Sequence, residues 1–121
     1  MKKPVKLLIQ RADRLGDMVC TLPLIDKIAA QYPHAEIHVL ASSRNNALVT
    51  GHPLVKKVFT YDVDKGSLRA FFSLVKEIRQ ENYDAYLSVW NNVWMALLGV
   101  FANIRVRIGD SSNVTLKVVY T

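Results

Sequence analysis

The apolar positions of the chain follow two alternating spacings. Lys6 to Gln10, KLLIQ, is a short apolar run bounded by charge, the pattern of a buried strand. Beyond Gly16 the apolar residues Met18, Leu22, Ile25, Ala29 and Tyr32 recur at helical steps. Pro23 lies inside that pattern, so the helix either starts near Thr21 or begins at Asp17 and bends; the early start is favoured, and Pro33 ends the helix. Glu36 to Ala41, EIHVLA, predicts a second strand. A short helix through Val49 follows, with Ser42 or Ser43 as its cap, stopped by Gly51 and Pro53.

Val55 to Tyr61 predicts the third strand. An amphipathic helix from Ser67 to Glu81 comes next, with Leu68, Phe71, Phe72, Val75 and Ile78 on one face. Tyr83 to Val89 reads as the fourth strand, and Asn91 or Asn92 as the cap of a buried helix through Ala102. Arg105 to Ile108 reads as a short fifth strand. Strands alternating with helices imply a parallel sheet, hence an α/β, Rossmann-like open parallel sheet with helices on both faces. The 121 residues suit one domain, 1–121. The closing segment SSNVTLKVVYT stops on a β-prone run, as though the chain continued in a longer protein.

Composition narrows the function classes only a little. Half the residues are hydrophobic, enough for a packed core. The formal charge of +6 favours anionic partners, whether phosphates, nucleic acid, anionic glycolipid or a membrane surface. The basic residues are scattered and no nucleic-acid-binding motif is visible, which counts against DNA or RNA. A single cysteine, Cys20, excludes an internal disulfide and fits a helix core. No secretory signal is readable, and the longest apolar stretch, Val93 to Ile104, is too short to span a bilayer; a cytoplasmic location is expected. Asn113-Val114-Thr115 fits a glycosylation sequon without a context that would use it.

Candidate chemistry gathers where the strands end. In open α/β sheets the ligand site lies beyond the carboxyl ends of the strands, here 11–17, 42–46, 61–66 and 90–94. The first of these, RADRLGD, lacks both the dinucleotide glycine pattern and the P-loop pattern. Gly16 can still allow a sharp turn or a close approach to a ligand. Asp17 falls in the first helical turn. There it reads as a helix-end charge, worth roughly 0.3–1 kcal/mol, or as a carboxylate accepting a proton from a substrate hydroxyl. The helix dipole makes it a weaker base, so the second role needs help from burial or geometry. Asp13 fits a salt bridge with Arg11 or Arg14; those arginines equally suit an anion, since the guanidinium fork matches phosphate and carboxylate. Trp90-Asn91-Asn92-Val93-Trp94 offers rings and amides suited to sugars, or a helix cap and a core tryptophan. His34, His38 and His52 lack metal-ligand spacing, and the aromatics from Trp94 to Phe101 read first as core.

Several motifs together resemble a known family. R-x-D-R-L-G-D-x-x-x-T-L-P at Arg11–Pro23 and Y-P-x-A-x-I-x-V-L-A at Tyr32–Ala41 resemble the start of glycosyltransferase family 9, the bacterial ADP-heptose:lipopolysaccharide heptosyltransferases. The likeness continues through HPLVKKV at His52–Val58, ENYDAY at Glu81–Tyr86 and ANIRVRIG at Ala102–Gly109. The resemblance implies a GT-B fold, two Rossmann-like domains facing across a cleft, of which this chain is the N-terminal, acceptor-side half. The C-terminal domain that binds the donor, ADP-heptose, is absent, so the fragment is expected to be inactive alone. It further implies an inverting transfer of heptose to the lipopolysaccharide inner core, without a required metal or other cofactor. Asp17 matches the family's proposed general base, and Arg11, Asp13, Arg14 and Gly16 would line the acceptor side. Ser42, Ser43, Arg44, Asn91, Asn92 and Trp94 are added as acceptor contacts on position. The expected partners are an anionic lipopolysaccharide-core acceptor, a nucleotide-sugar through the missing domain, no nucleic acid, and a peripheral contact with the inner face of the bacterial inner membrane. The rival reading is a free-standing flavodoxin-like binding or regulatory module. A receiver-type version wants acids clustered at the first strand end and a lysine at the last, where this chain has mixed charge and Arg105 and Arg107.

Overall fold

In a computed structural model, which describes residues 6–12, 15–89, 92–104 and 106–109, five parallel strands form one sheet in the order β3-β2-β1-β4-β5. The strands are β1 (Lys6–Arg11), β2 (Glu36–Ala41), β3 (Val55–Thr60), β4 (Ala85–Ser88) and β5 (Val106–Gly109). The helices are α1 (Leu15–Gln31), α2 (Leu68–Gln80) and α3 (Val93–Phe101), with a 3₁₀ turn at Asn46–Leu48. The Rossmann-like α/β architecture expected from the alternation of elements is present.

The central strand explains why KLLIQ carries no alternation. Leu8, Ile9 and Gln10 are all fully buried, because both faces of β1 are covered. Leu8, with Leu40, Phe59 and Tyr86, points toward α2 and α3 and packs on Phe71, Leu74, Ile78, Met95 and Leu98. Ile9, with Val39 and Ala41, points the other way onto Met18 and Ile25 of α1. Residues opposite in register, Ile9 with Val39 and with Leu87, keep the two cores separate.

The strand order locates the functional edge. From β1 the chain moves outward through β2 and β3, then returns to the other side of β1 for β4 and β5. The loops leaving β1 and β4 therefore diverge to opposite faces, and the crevice between them is the topological switch point.

Element bounds differ from the expectations in physically simple ways. The early start of α1 holds, with Pro23 inside the helix. Ser42 and Ser43 do not cap a helix: the 3₁₀ turn follows Asn45, which makes no side-chain cap bond there because its amide is used elsewhere. β4 is shorter than Tyr83–Val89, since the Tyr83 ring turns into the core against His38 and the Asp84 carboxylate accepts from the Lys6 amide at 2.8 Å. β5 begins at Val106 and reaches Gly109. Asn92 is the α3 cap, its Oδ1 accepting from the amides of Trp94 and Met95. The aromatics of α3 are not all core: Trp94 and Phe101 are exposed by about two-fifths, because α3 is apolar all round and only one side meets the sheet. The segment 110–121, with its sequon, lies outside the described residues.

Candidate functional site

A set of buried polar side chains fastens the carboxyl ends of β1, β2 and β4 to one another. Gln10, fully buried on the central strand, donates from Nε2 to Ser88 Oγ of β4 at 2.8 Å. Its Oε1 accepts from the Ala12 amide at 2.9 Å, which fixes the first residue after β1. Arg11 donates from Nη1 to the Val89 carbonyl at 3.2 Å, bridging the switch point. Asn45, also fully buried, donates from Nδ2 to the Arg11 carbonyl and accepts at Oδ1 from the Ser42 amide, both at 2.8 Å. A buried amide needs all these partners, and here they are main-chain groups that the strand ends would otherwise leave unpaired.

The loop after β2 is fixed a second time by the loop after β3. Ser43 donates from both its amide and Oγ to Asp62 Oδ1, at 2.9 and 3.0 Å. Burial works to raise the Asp62 pKa, but the two Ser43 hydrogen bonds, with Lys65 and Arg44 nearby, outweigh it and hold the carboxyl below its ordinary value. Arg44 pairs with Asp64 at 3.1 Å with both side chains more than half exposed, where such a pair is weak and easily exchanged for another anion.

The sequence-predicted residues separate accordingly. Gly16 and Asp17 stand in the first turn of α1, directly after the fastened end of β1. The side chains of residues 15–17 and 20 lie outside the described residues, as do Asp13, Arg14, Trp90, Asn91 and Arg105 altogether. Arg11, Ser43 and Arg44 are on the edge. Ser42 is buried, with its amide bound to Asn45. Trp94 lines a pocket on the same edge with Tyr61, Val63, Gly66, Ser67, Leu68 and Phe71. The Trp94 ring meets Phe71 at a centroid distance of 5.3 Å. A Cβ at Gly66 would run into the Tyr61 ring, so the glycine there lets the pocket wall close on the tyrosine. Gln10, Ser88 and Tyr61 are the residues that sequence reading did not single out. For Gln10 and Ser88 the one visible signal is polarity at or next to the end of an otherwise apolar strand; Tyr61 lies just beyond β3 and has no such signal.

The edge thus offers cations, amides and a ring, with an acid in the first turn of a helix. Its cations and amides can orient a polar, anionic ligand. Among the described residues, no group of three or more His, Cys, Asp or Glu side chains is placed to hold a metal, and no helix is long and apolar enough to cross a membrane.

Comparisons with known proteins agree with the fold. No protein-family profile matches the chain. It is 30% identical over 107 residues to a lipooligosaccharide heptosyltransferase 2 of Haemophilus ducreyi, a match covering 87% of this chain and 30% of that protein. It is 28% identical over 99 residues to a lipopolysaccharide heptosyltransferase 3 of Escherichia coli, covering 78% of this chain and 29% of that protein. The chain therefore spans about 30% of the length of these curated relatives. In fold it is similar to a glycosyltransferase family 9 protein of Veillonella parvula, with a TM-score of 0.85 at 16% identity over 100% of this chain and 36% of the other. It is also similar to the Escherichia coli ADP-heptose heptosyltransferase II, with a TM-score of 0.77 at 24% identity over 96% of this chain and 33% of the other.

Proposed function

From the premise that this chain is a heptosyltransferase-like domain of glycosyltransferase family 9, we propose that it belongs to the acceptor-side, N-terminal half of an inverting glycosyltransferase. The acceptor in this reading is the anionic inner core of lipopolysaccharide. The donor, ADP-heptose, binds a second domain across the cleft, and the 121-residue chain has no transfer activity by itself. The observation that carries the reading is the position of the Arg11–Pro23 motif. It leaves a buried central strand at the switch point and enters a helix with Asp17 in its first turn.

The chemistry asked of these residues is modest and specific. Asp17 accepts a hydrogen bond from the acceptor hydroxyl and takes its proton as the oxygen attacks the anomeric carbon; ADP leaves from the opposite face, which inverts the centre. A carboxylate at a helix N-terminus is stabilised as the anion, so it orients the hydroxyl well and deprotonates it late, once positive charge has developed on the attacking oxygen. Arg11, Asp13, Arg14 and Arg44 line the acceptor side in this reading, the guanidinium forks matching the carboxylates and phosphates of the acceptor. Gly16 lets the backbone approach. Ser43, Asn91, Asn92 and Trp94 contact the sugar rings, and Ser42 shapes the loop behind them. The protein works on the cytoplasmic side, at the membrane that carries its acceptor.

The test is Asp17→Asn in the full-length protein, assayed for heptose transfer. A loss of kcat of about 10²–10⁴-fold with little change in KM is expected for a missing general base. Near-normal turnover with unchanged melting would reduce Asp17 to a helix-end charge.

A further inference from the structure

Gln10 interrupts an apolar layer. It stands on the central strand, in register with Leu40 of β2 and Ser88 of β4. Strand alternation puts its side chain on the face of Leu8, in the layer that packs on α2 and α3. It is fully buried. Leucine at this position would extend the run LLI and pack on Leu40. A buried amide instead gives up water, and its hydrogen bonds offset that loss with little to spare. Compared with leucine, Gln10 therefore adds little to the packing of the sheet, and its consequence lies in what the two ends of its amide hold.

They hold the point where the chain leaves the sheet. A strand that turns out of a sheet leaves main-chain groups without ladder partners. The Ala12 amide finds Gln10 Oε1 at 2.9 Å, and the Arg11 carbonyl finds Asn45 Nδ2 at 2.8 Å. Gln10 Nε2 is anchored on Ser88 Oγ at 2.8 Å, and the Gln10 carbonyl accepts from the Val89 amide at 2.9 Å. The Gln10 side chain thus stands in for a ladder partner and stops β1 at Arg11. Only residues 12–14 lie between β1 and α1. A link that short has little slack, so the direction set at Ala12 is passed to the first turn of α1, where Gly16 and Asp17 stand. Gln10 itself has no exposed surface with which to touch an acceptor.

We propose that Gln10 is a positioning residue for glycosyl transfer: by ending β1 at Arg11 it fixes the first turn of α1, and through it the place of Asp17 relative to the acceptor hydroxyl. This rests on the reading above in which Asp17 takes the hydroxyl proton.

The test is a double-mutant cycle on the full-length protein, with Gln10→Met and Asp17→Asn made singly and together and assayed for transfer from ADP-heptose. Methionine fills a similar volume and cannot accept from the Ala12 amide. Gln10→Met is expected to lower kcat by about 10²-fold, the effect of a displacement on the order of 1 Å at the reacting centre, and to leave KM for ADP-heptose unchanged. A residue that acts through Asp17 has little left to lose once Asp17 is replaced. In the Asp17→Asn background Gln10→Met is therefore expected to cost less than about threefold. Gln10→Glu keeps an acceptor for the Ala12 amide and is expected to recover most of the lost kcat. Circular dichroism and melting show whether each variant folds, and Gln10→Leu replaces Gln10→Met if that variant does not. Equal losses in both backgrounds would mark an effect independent of Asp17 and overturn the proposal, as would failure of both apolar variants to fold. Near-normal turnover of Gln10→Met beside an inactive Asp17→Asn removes the role of Gln10 and leaves that of Asp17. Near-normal turnover of Asp17→Asn removes the role of Asp17, and the proposal with it.

Discussion

Asn45 sits fully buried between two strand ends, and its amide spans them with two 2.8 Å bonds, to the Arg11 carbonyl and the Ser42 amide. Replacing it with alanine leaves both main-chain groups without that partner in a dry site. Asn45→Ala is therefore expected to lower unfolding stability by about 2–4 kcal/mol, measured by urea titration. His38 is the other residue whose setting decides its behaviour. Its ring is buried, with Nε2–H donating to Glu36 at 2.7 Å and Nδ1 accepting from the Tyr83 hydroxyl, so the neutral form is the one that fits. Burial lowers its pKa, and the hydrogen bond and charge of Glu36 only partly restore it. A histidine with a depressed pKa stabilises the fold above its unfolded value near 6.5, and that contribution is lost as pH falls below this value. Glu81, held down to about 2 by hydrogen bonds from Lys57 and Lys6, adds a second loss as pH falls below its ordinary 4.5. Melting temperature is expected to decline from pH 6.5 downward and again below 4.5, with His38→Gln flattening the upper step. Neither residue was legible in the sequence. An asparagine in a loop and a histidine in a strand are both commonplace, and their roles depend on partners far along the chain. The cap Asn92, one of the two candidates Asn91 and Asn92, was legible because a cap's partners lie within three residues; Ser67, read as the first helical residue, is the cap of α2.

The elements were read best where one local cause dominates. β2 matches its apolar run residue for residue, and the bounds of α2 match within a residue, but Leu68 and Phe72 of its expected apolar face are exposed while Leu74 is buried with Phe71, Val75 and Ile78. α3 was legible as a helix but not as to which side is buried, because VWMALLGVF is apolar in every direction. Packing reveals its inner side through Gly99, fully enclosed against β4. A Cβ there would lie 2.6 Å from Tyr86 Cδ2 and 3.0 Å from Arg107 Cδ. Tyr86 cannot swing away, being fully buried with its hydroxyl donating to the Met95 carbonyl at 2.7 Å. Gly99→Ala gains roughly 0.5–1 kcal/mol of helix preference, while overpacking of this kind costs about 1–3 kcal/mol. The expected net effect is a loss near 1 kcal/mol, seen as a lower denaturation midpoint at an unchanged m-value. Alanine at Gly51, whose φ of +80° lies in the left-handed region with open space around it, would destabilise through backbone strain instead.

At the scale of the whole molecule, alternation of strand and helix made the parallel sheet legible, but not its order, because hydrophobic period says nothing about which strand neighbours which. The order β3-β2-β1-β4-β5 is what turns four separate loops into one edge, by bringing Arg11 to the Val89 carbonyl across the switch point. That edge is cationic, yet its described arginines are already engaged: Arg11 is tied to β4 and Arg44 is paired with Asp64. An anionic acceptor must therefore exchange for existing partners, and its affinity for the chain alone is expected to be weak, with screening deciding how much survives. The Debye length shrinks from about 10 Å at 0.1 M salt to about 3 Å at 1 M, so exposed charge pairs across a cleft lose most of their attraction over that range. Titration of the chain with a phosphorylated inner-core oligosaccharide, followed by amide chemical shifts, is expected to show saturable shifts at low salt that fade as salt rises. The shifts should concentrate at Arg11, at 42–44 and at Trp94, and the dephosphorylated oligosaccharide should bind more weakly. ADP-heptose added to the same chain is expected to give no saturable shifts. Tight binding of ADP-heptose with no response to the oligosaccharide would mean that this half of the fold reads the donor, and the roles assigned to the two sides of the cleft would have to be exchanged.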